Sequence, residues 1–494
     1  MDTSSIPKHV DVIIIGTGLT NSIIAAACSR IGKSVLHLDE NSYYGNEWAS
    51  FTLQQLIDWI KEKYPNDKSL NDIPEEVINK SRMFCIDLVP RFLFSNGAMV
   101  DLLVKSNVAR YHEFKNNIRI LCMIGDNINV MPCRRSEVFT SPLLKNLADK
   151  RRLMKFIELC MKYDEDPDAD TSEQSEIDNY GDEPIGKYLE QRGLKSNLRE
   201  YIINSIAMVK PNEPMRNACK KVKKFMIATE RYGRSPFLFP IYGCGEFPQS
   251  FCRLCAVFGG LYCLNTQIKD VNIKKETTDK NEHSEKHGGN FSVKFSDEDY
   301  LVESDVLVLD KTTAISLKLI EGTNVSDRLS RAILITRESI VPPGDPESTT
   351  AQDKDLISFL RIPTSDSNKD LVFLIELNSS AMVCPKDMNL VYLWTRASSE
   401  NPEDDLNGTV ERIFKCDKDC LIWKFYYQQT SEVLEDQITP DRIAKSVPTS
   451  GLHITSQAAC DDIDYASIIK EAEALFARMC PDQEFLREHL IRMK

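Results

Sequence analysis

The sequence predicts an α/β (α+β) protein with mixed sheets and an inserted all-α domain, and three observations carry that prediction. The first is local order. Val10 to Ile15 is a β-branched apolar run, broken only by Asp11 and ending at Gly16, the small-residue segment Ile23 to Ser29 has helical character, and Val35 to Leu38 is a second apolar run ending at Asp39. Strand, glycine turn, helix, strand and acid in that order form a right-handed βαβ unit, so the N-terminal part reads as an FAD/NAD(P)-binding-like Rossmann domain. The second is a change of period: apolar residues recur at helical spacing over Leu143 to Lys162 and Ile185 to Val209, as in Leu198, Ile202, Ile206 and Val209. The third is a return to a glycine-punctuated mixed pattern over Phe237 to Phe258 and Leu261 to Asn265.

In chain order, residues 1–133 open the large α/β domain, 134–228 are the helical domain, 229–460 complete the large domain, and 461–494 are a terminal helix and tail. Within the helical part, Tyr163 to Pro184 holds ten acidic residues and no basic one, and reads as a solvated or disordered loop, 163–184. Lys274 to Asn290 reads as a polar, hairpin-like excursion, followed by strands at Phe291 to Phe295 and Val306 to Leu309, an α/β stretch from Asp370 to Lys424, and a helix from Tyr465 to Met479.

The chain of 494 residues is 42% hydrophobic and 27% charged, ordinary globular composition, and offers no run of roughly 20 apolar residues for a membrane span. Met1 to Asp11 has no apolar core of a secretory signal, which points to the cytosol and so to reduced thiols for the 15 cysteines. A net charge of −13 argues against a nucleic-acid partner, whose phosphates demand a basic face.

Gly16 and Gly18 would let the backbone approach a pyrophosphate at a helix N-terminus, and Asp39 or Glu40 stands where a ribose-binding acid belongs. Read alone, this turn predicts a flavin oxidoreductase. The third glycine of the fingerprint is replaced by Asn21, however, so the motif is incomplete.

Two longer segments bear on function. Asp39-Glu40-Asn41-Ser42-Tyr43-Tyr44-Gly45-Asn46-Glu47, together with the stretch from Arg231 through Pro240-Ile241-Tyr242-Gly243-Cys244-Gly245-Glu246 to Arg253 and Tyr262, resembles the Rab GDP-dissociation inhibitor and Rab escort superfamily. That superfamily is similar in fold to flavin monooxygenases without using flavin, which implies a vestigial turn at Gly16, Gly18 and Asp39 and no cofactor. The resemblance places Tyr44, Glu246 and Arg253 in a platform for the switch regions of a GDP-bound Rab GTPase. From spacing alone, Glu246 and Arg253 could equally form a local ion pair. It further implies that Leu103, Val108 and Phe114 help bind the extended GTPase C-terminus and that the helical domain shields geranylgeranyl groups, with Ile202 and Ile206 as candidate lining. The same side chains also suit the protein's own core.

Ser136 to Pro142 and Asp149 to Phe156 resemble the escort-protein surface that docks on the α subunit of the Rab geranylgeranyltransferase α/β heterodimer, with Phe139 as aromatic anchor and Arg151, or its neighbours Lys150 and Arg152, in support. The resemblance thus implies a non-catalytic escort that associates transiently with membrane to deliver its product; the alternatives are an inhibitor recycling prenylated Rabs and a flavin oxidoreductase. Cys252 and Cys255 have redox-motif spacing but lie inside the platform segment and read as buried thiols, and the seven histidines show no metal-ligand spacing.

Overall fold

The computed structural model describes residues 6–133, 137–138, 146–163, 176–177, 179–229, 231–273, 290–295, 300–320, 327–341, 356–365, 368–415, 418–431, 451–456 and 463–486. Strand β1 (His9–Ile15), helix α1 (Leu19–Arg30) and strand β2 (Val35–Leu38) form the N-terminal unit, with β1 and β2 parallel. The turn between β1 and α1 needs Gly16 at φ +88°, a backbone region that side chains with a Cβ avoid. Strand β1 lies at the centre of a seven-stranded sheet, flanked by β2 and Leu301–Asp310, with Leu261–Cys263, Phe291–Phe295 and Ile268–Ile273 outward and Leu452–Thr455 parallel to Leu301–Asp310. A parallel strand covered on both faces has no polar side, which is why Val12 to Ile15 is a continuous apolar run, while Asp11 near the strand's start is half-buried and accepts from Ser34 N and Oγ.

Every residue of α1 is buried. Its inner run of Ala25, Ala26 and Ala27 keeps the helix slim enough to lie between the sheet and two further helices, Glu246–Val257 and Ala466–Met479, both in contact with it. A second, mixed sheet of seven strands runs in the order Leu421–Ser431, Asp327–Thr336, Asn389–Arg396, Val372–Leu377, Ile357–Ile362, Ile118–Ile124 and Asn127–Val130. The described part of 134–228 contains Leu147–Lys162, Ile185–Gln191, Ser196–Glu200 and Met215–Ala228 as α-helices.

Two segments differ from the sequence reading. The helical stretch Ile185 to Val209 is three elements, because Tyr201–Ala207 widens into a π-helix that ends at Met208 with φ +54°. The widening is anchored from the second sheet: Arg361 Nη1 donates to the carbonyls of Ile203 (3.1 Å) and Val209 (2.7 Å), and Ser205 Oγ donates to the Leu121 carbonyl at 3.2 Å. Periodicity of 3.6 cannot report such a bulge. The acidic segment is also more than a solvated loop, since residues 176, 177, 179 and 180 are helical, Ile177 is fully buried and Glu176 pairs with Arg192. Residues 164–175 of that segment, and 274–289 of the excursion, lie outside the described residues.

Helices and second sheet share an aromatic core. Phe237 is fully buried, with its ring centroid 5.5 Å from Phe92, 4.6 Å from Phe94 and 5.8 Å from Phe359, and Phe225 of the last inserted helix meets it edge-on at 6.4 Å. Truncating Phe237→Ala should cost about 3–5 kcal/mol, read as a lower urea midpoint with an unchanged m-value.

Candidate functional site

The helix Glu246–Val257 has an amphipathic pattern: Phe247, Phe251, Leu254 and Cys255 are buried, while Gln249, Arg253 and Ala256 face out. Seven residues are two helical turns, so Glu246 and Arg253 share the outer face. With Tyr44, Tyr111, Gln249 and Tyr262 they line one pocket of about 340 Å³. The two do not form an ion pair. Arg253 instead lies over the Tyr111 ring, 4.6 Å from its centroid, a cation–π contact that leaves the guanidinium edge facing outward. Tyr44 meets Tyr262 edge-on at 5.8 Å, and burial raises both the Tyr44 phenol and the Glu246 carboxyl above their ordinary values. The pocket thus presents one acid, one cation and rigid aromatic walls, a set suited to a protein surface carrying both charge and apolar side chains.

The start of this helix is fixed from below. Gly243 has φ +90°, and a Cβ there would stand 2.6 Å from Asp87 Oδ1; one on Gly245 would stand 2.6 Å from Ser50 Oγ. Both glycines are therefore required. Asp87 Oδ1 accepts from Cys244 N at 2.8 Å and from Ser50 Oγ, and Ser50 Oγ accepts from Gly245 N at 2.8 Å. Asp87 is almost fully buried, and that burial pushes its carboxyl up to about 6.

The glycine turn at β1–α1 is closed by the chain's own groups. Asp39 Oδ2 accepts from Thr17 N (2.7 Å) and Thr17 Oγ1 (2.5 Å), and its Oδ1 accepts from Asn41 N (2.8 Å) and Asn41 Nδ2 (2.9 Å). Asn21, in place of the third glycine, donates to the carbonyls of Ile15 (2.9 Å) and Gly16 (3.1 Å). Thr17 Oγ1 accepts from Gly45 N at 2.9 Å, which folds the loop after Asp39 over the turn and carries Glu47 to Gly18: a Cβ on Gly18 would be 3.6 Å from Glu47 Oε1. A carboxyl thus occupies the helix N-terminus where a pyrophosphate would sit, with Asp39 and Asp310 close by. These residues do not fit a bound dinucleotide, whose phosphates would meet the carboxyls of Glu47, Asp39 and Asp310.

The remaining predicted residues lie elsewhere. Leu103 and Val108 are buried in the core; the large apolar side chains exposed between Leu103 and Phe114 are Val104 and Tyr111, while Phe114 is half-buried and stacks on Phe247 at 6.4 Å. Ile202 and Ile206 are both buried. A cavity of about 870 Å³ beside the π-helix is lined by their neighbours Ile203 and Asn204, with Val209, Arg361 and Leu371. Phe139 lies outside the described residues, and Arg151 is exposed on Leu147–Lys162. Cys252 and Cys255 are buried thiols, raised by that burial, Cys252 to about 12, the reverse of an activated redox pair. Among the described residues no cluster of three metal-ligating side chains occurs, and no helix is long and apolar enough to cross a membrane.

Sequence reasoning missed Tyr111, Gln249, Ser50 and Asp87. Gln249 was available from helical spacing and Tyr111 from its place between Val108 and Phe114, whereas Ser50 and Asp87 carry no local signal.

Burial, with smaller contributions from the charges of Asp310 and Asp39, pushes Glu47 up to about 7 from its ordinary 4.5. The folded chain therefore holds this proton more tightly than the unfolded one, and the associated stability is full below about 4.5 and lost as pH rises through 7. Glu47→Gln removes that titration. Its Tm should change less than the wild type's between pH 5 and pH 8, corresponding to roughly 1–3 kcal/mol, measured by calorimetry in both buffers.

Comparison with known proteins agrees with this geometry. The family model for GDI, GDP dissociation inhibitor, matches residues 6–465. The Drosophila melanogaster protein named Rab proteins geranylgeranyltransferase component A is 31% identical, over 97% of this chain and 90% of that protein. A Saccharomyces cerevisiae Rab GDP-dissociation inhibitor is 36% identical over 56% of this chain and 60% of its own length. The crystal structure of RAB GDI from Plasmodium falciparum superposes with a TM-score of 0.72 at 21% identity, covering 97% of this chain and 99% of that one, and so shares the fold. A chain that matches the family from its first strand to the residue before its last helix, on a Rossmann-like scaffold whose glycine turn is lined by its own carboxyls, belongs to the GDP dissociation inhibitor family.

Proposed function

We propose that this chain is a Rab escort protein. It captures a GDP-bound Rab GTPase on the surface of Tyr44, Glu246 and Arg253, presents the GTPase's C-terminal cysteines to Rab geranylgeranyltransferase through that enzyme's α subunit, and delivers the lipidated product to membrane in the cytosol. It contributes binding and orientation, while the transferase supplies the chemistry. One observation carries the reading: side chains from segments some two hundred residues apart converge on one charged, aromatic pocket in a chain matched nearly end to end by a transferase component A.

The pocket supports selection for GDP by simple physics. Switch segments ordered by the γ-phosphate and its Mg²⁺ relax after hydrolysis, and an acid and a cation fixed on one helical face favour only the conformation that brings complementary groups to both. Arg253, held over Tyr111, has little freedom to follow a misplaced partner. No cofactor enters this function; the closed turn at Gly16, Gly18 and Asp39 supports that. Two geranylgeranyl groups would cost up to about 30 kcal/mol if left in water, at about 0.8 kcal/mol per methylene, so the product needs an apolar shelter. The interior of the helical domain around Ile202 and Ile206 is the apolar volume assigned to it, opened as the lipid enters.

Phe139 anchors the transferase in this reading, and its aromatic character favours an escort over a dissociation inhibitor. The inhibitor is the second reading, favoured by the shared fold with RAB GDI. Exchanging the charges, Glu246→Arg with Arg253→Glu, should weaken capture of GDP-loaded Rab by at least about tenfold in a fluorescence titration, whereas unchanged capture contradicts the platform. Phe139→Ala should keep Rab binding and lose recruitment of the transferase in a co-sedimentation assay; undiminished recruitment would favour the inhibitor.

A further inference from the structure

Three large apolar side chains stand in solvent beside the platform: Met83, Tyr242 and Met382, exposed by 55%, 53% and 52%. They are tied into one patch by the backbone. Tyr242 N donates to the Ala381 carbonyl at 3.1 Å, the Tyr242 carbonyl accepts from Cys85 Sγ at 2.8 Å, and Cys85 N donates to the Val383 carbonyl at 2.9 Å. Tyr242 and Met382 have φ +69° and +58°, left-handed backbone that bulky residues rarely adopt. Such strain persists only where the surroundings impose it, and it gathers at functional sites. Here the surroundings are visible: the next residue, Gly243, is pressed against Asp87, and both main-chain groups of Tyr242 are engaged, so its side chain alone is left to point outward.

We propose that Met83, Tyr242 and Met382 form an apolar shelf that receives a relaxed switch segment of the same GDP-bound GTPase whose charged groups meet Glu246 and Arg253. Continuity carries the choice of occupant. Three residues, Gly243, Cys244 and Gly245, separate Tyr242 from Glu246, which keeps their Cα atoms within about 14 Å. A partner of ordinary interface size covers about 800 Å² of each protein, a patch roughly 30 Å across, so a GTPase seated on Glu246 has the reach to cover Tyr242. The chemistry also fits: a rigid tyrosine flanked by two adaptable methionines is the composition of an apolar anchor site beside a charged rim. The shelf gives the platform an apolar component that its charged pair lacks. This inference rests on the escort reading and adds to it the residues that hold the apolar part of the partner.

The test uses the full chain and an unprenylated Rab loaded with GDP. Glycine adopts a φ of +69° freely, so Tyr242→Gly removes the side chain and relieves the strain together. It should weaken binding by roughly tenfold or more while melting no lower than wild type, and Tyr242→Ala should lose binding equally while melting below the glycine variant. Wild-type affinity in Tyr242→Gly, with binding still abolished by the exchanged charges at Glu246 and Arg253, would overturn the shelf and leave the platform standing. Weakening that appears only in step with a lower Tm would mark Tyr242 as structural and overturn it as well. So would a Tyr242-dependent self-association of the chain in sedimentation with Rab affinity unchanged. Absence of GDP-Rab binding by the wild-type chain would remove the escort reading itself.

Discussion

The outer face of the helix Glu246–Val257, the surface we propose for the partner, is set by two glycines that have no side chains. Asp87 and Ser50 fill the space where β-carbons at Gly243 and Gly245 would stand, and they hold the amides of Cys244 and Gly245. That clamp sets where the helix Glu246–Val257 begins, and hence which way Glu246 and Arg253 point. The helix is then pinned along its length by packing on α1, which is itself enclosed by the parallel sheet. The geometry passes from a buried acid and a serine, through a turn, to two charges nearly two helical turns apart. None of these steps depends on an ion pair between Glu246 and Arg253, and the absence of that pair leaves both charges to a partner.

The same scaffold explains what became of the nucleotide site. A Rossmann turn gathers amide donors at a helix N-terminus, and that concentration of positive potential has to be answered. In this chain the carboxyls of Asp39 and Glu47 lie beside it, and the loop that brings Glu47 to Gly18 is the same loop that carries Tyr44 to the pocket beside Tyr262. One loop thus serves both the glycine turn and the charged, aromatic pocket. The raised Glu47 carboxyl marks that double use: it sits in a place shaped for a different anion, and burial makes its charged form expensive.

The parts of the fold legible in the sequence were those written in adjacent residues. The bounds of β2 follow from Val35, Leu36 and Leu38 because a buried parallel strand is mostly apolar, with His37 as the exception held at the Gly16 carbonyl, and the last helix follows from its period. The alternation of Phe247, Phe251, Leu254 and Cys255 likewise foretells which face of the platform helix is hidden. What was not legible depends on pairs far apart in the chain: Ser50 under Gly245, Asp87 under Gly243, and Arg361 pulling Tyr201–Ala207 into a wider helix. Leu103, Val108, Ile202 and Ile206 show a subtler gap. Apolar residues on an amphipathic segment are equally suited to a groove or to a core, and only the neighbours decide; all four are buried here, while Val104 and Tyr111 face solvent.

In the function proposed here, a Rossmann-like scaffold serves as a carrier whose product is a correctly presented GTPase. Reconstituted prenylation tests this most directly: transfer of geranylgeranyl groups to a GDP-loaded Rab by the purified α/β transferase, with and without this chain. The account predicts that transfer depends on the chain and rises with it to saturation at one chain per Rab. Equal rates in its absence would contradict the account.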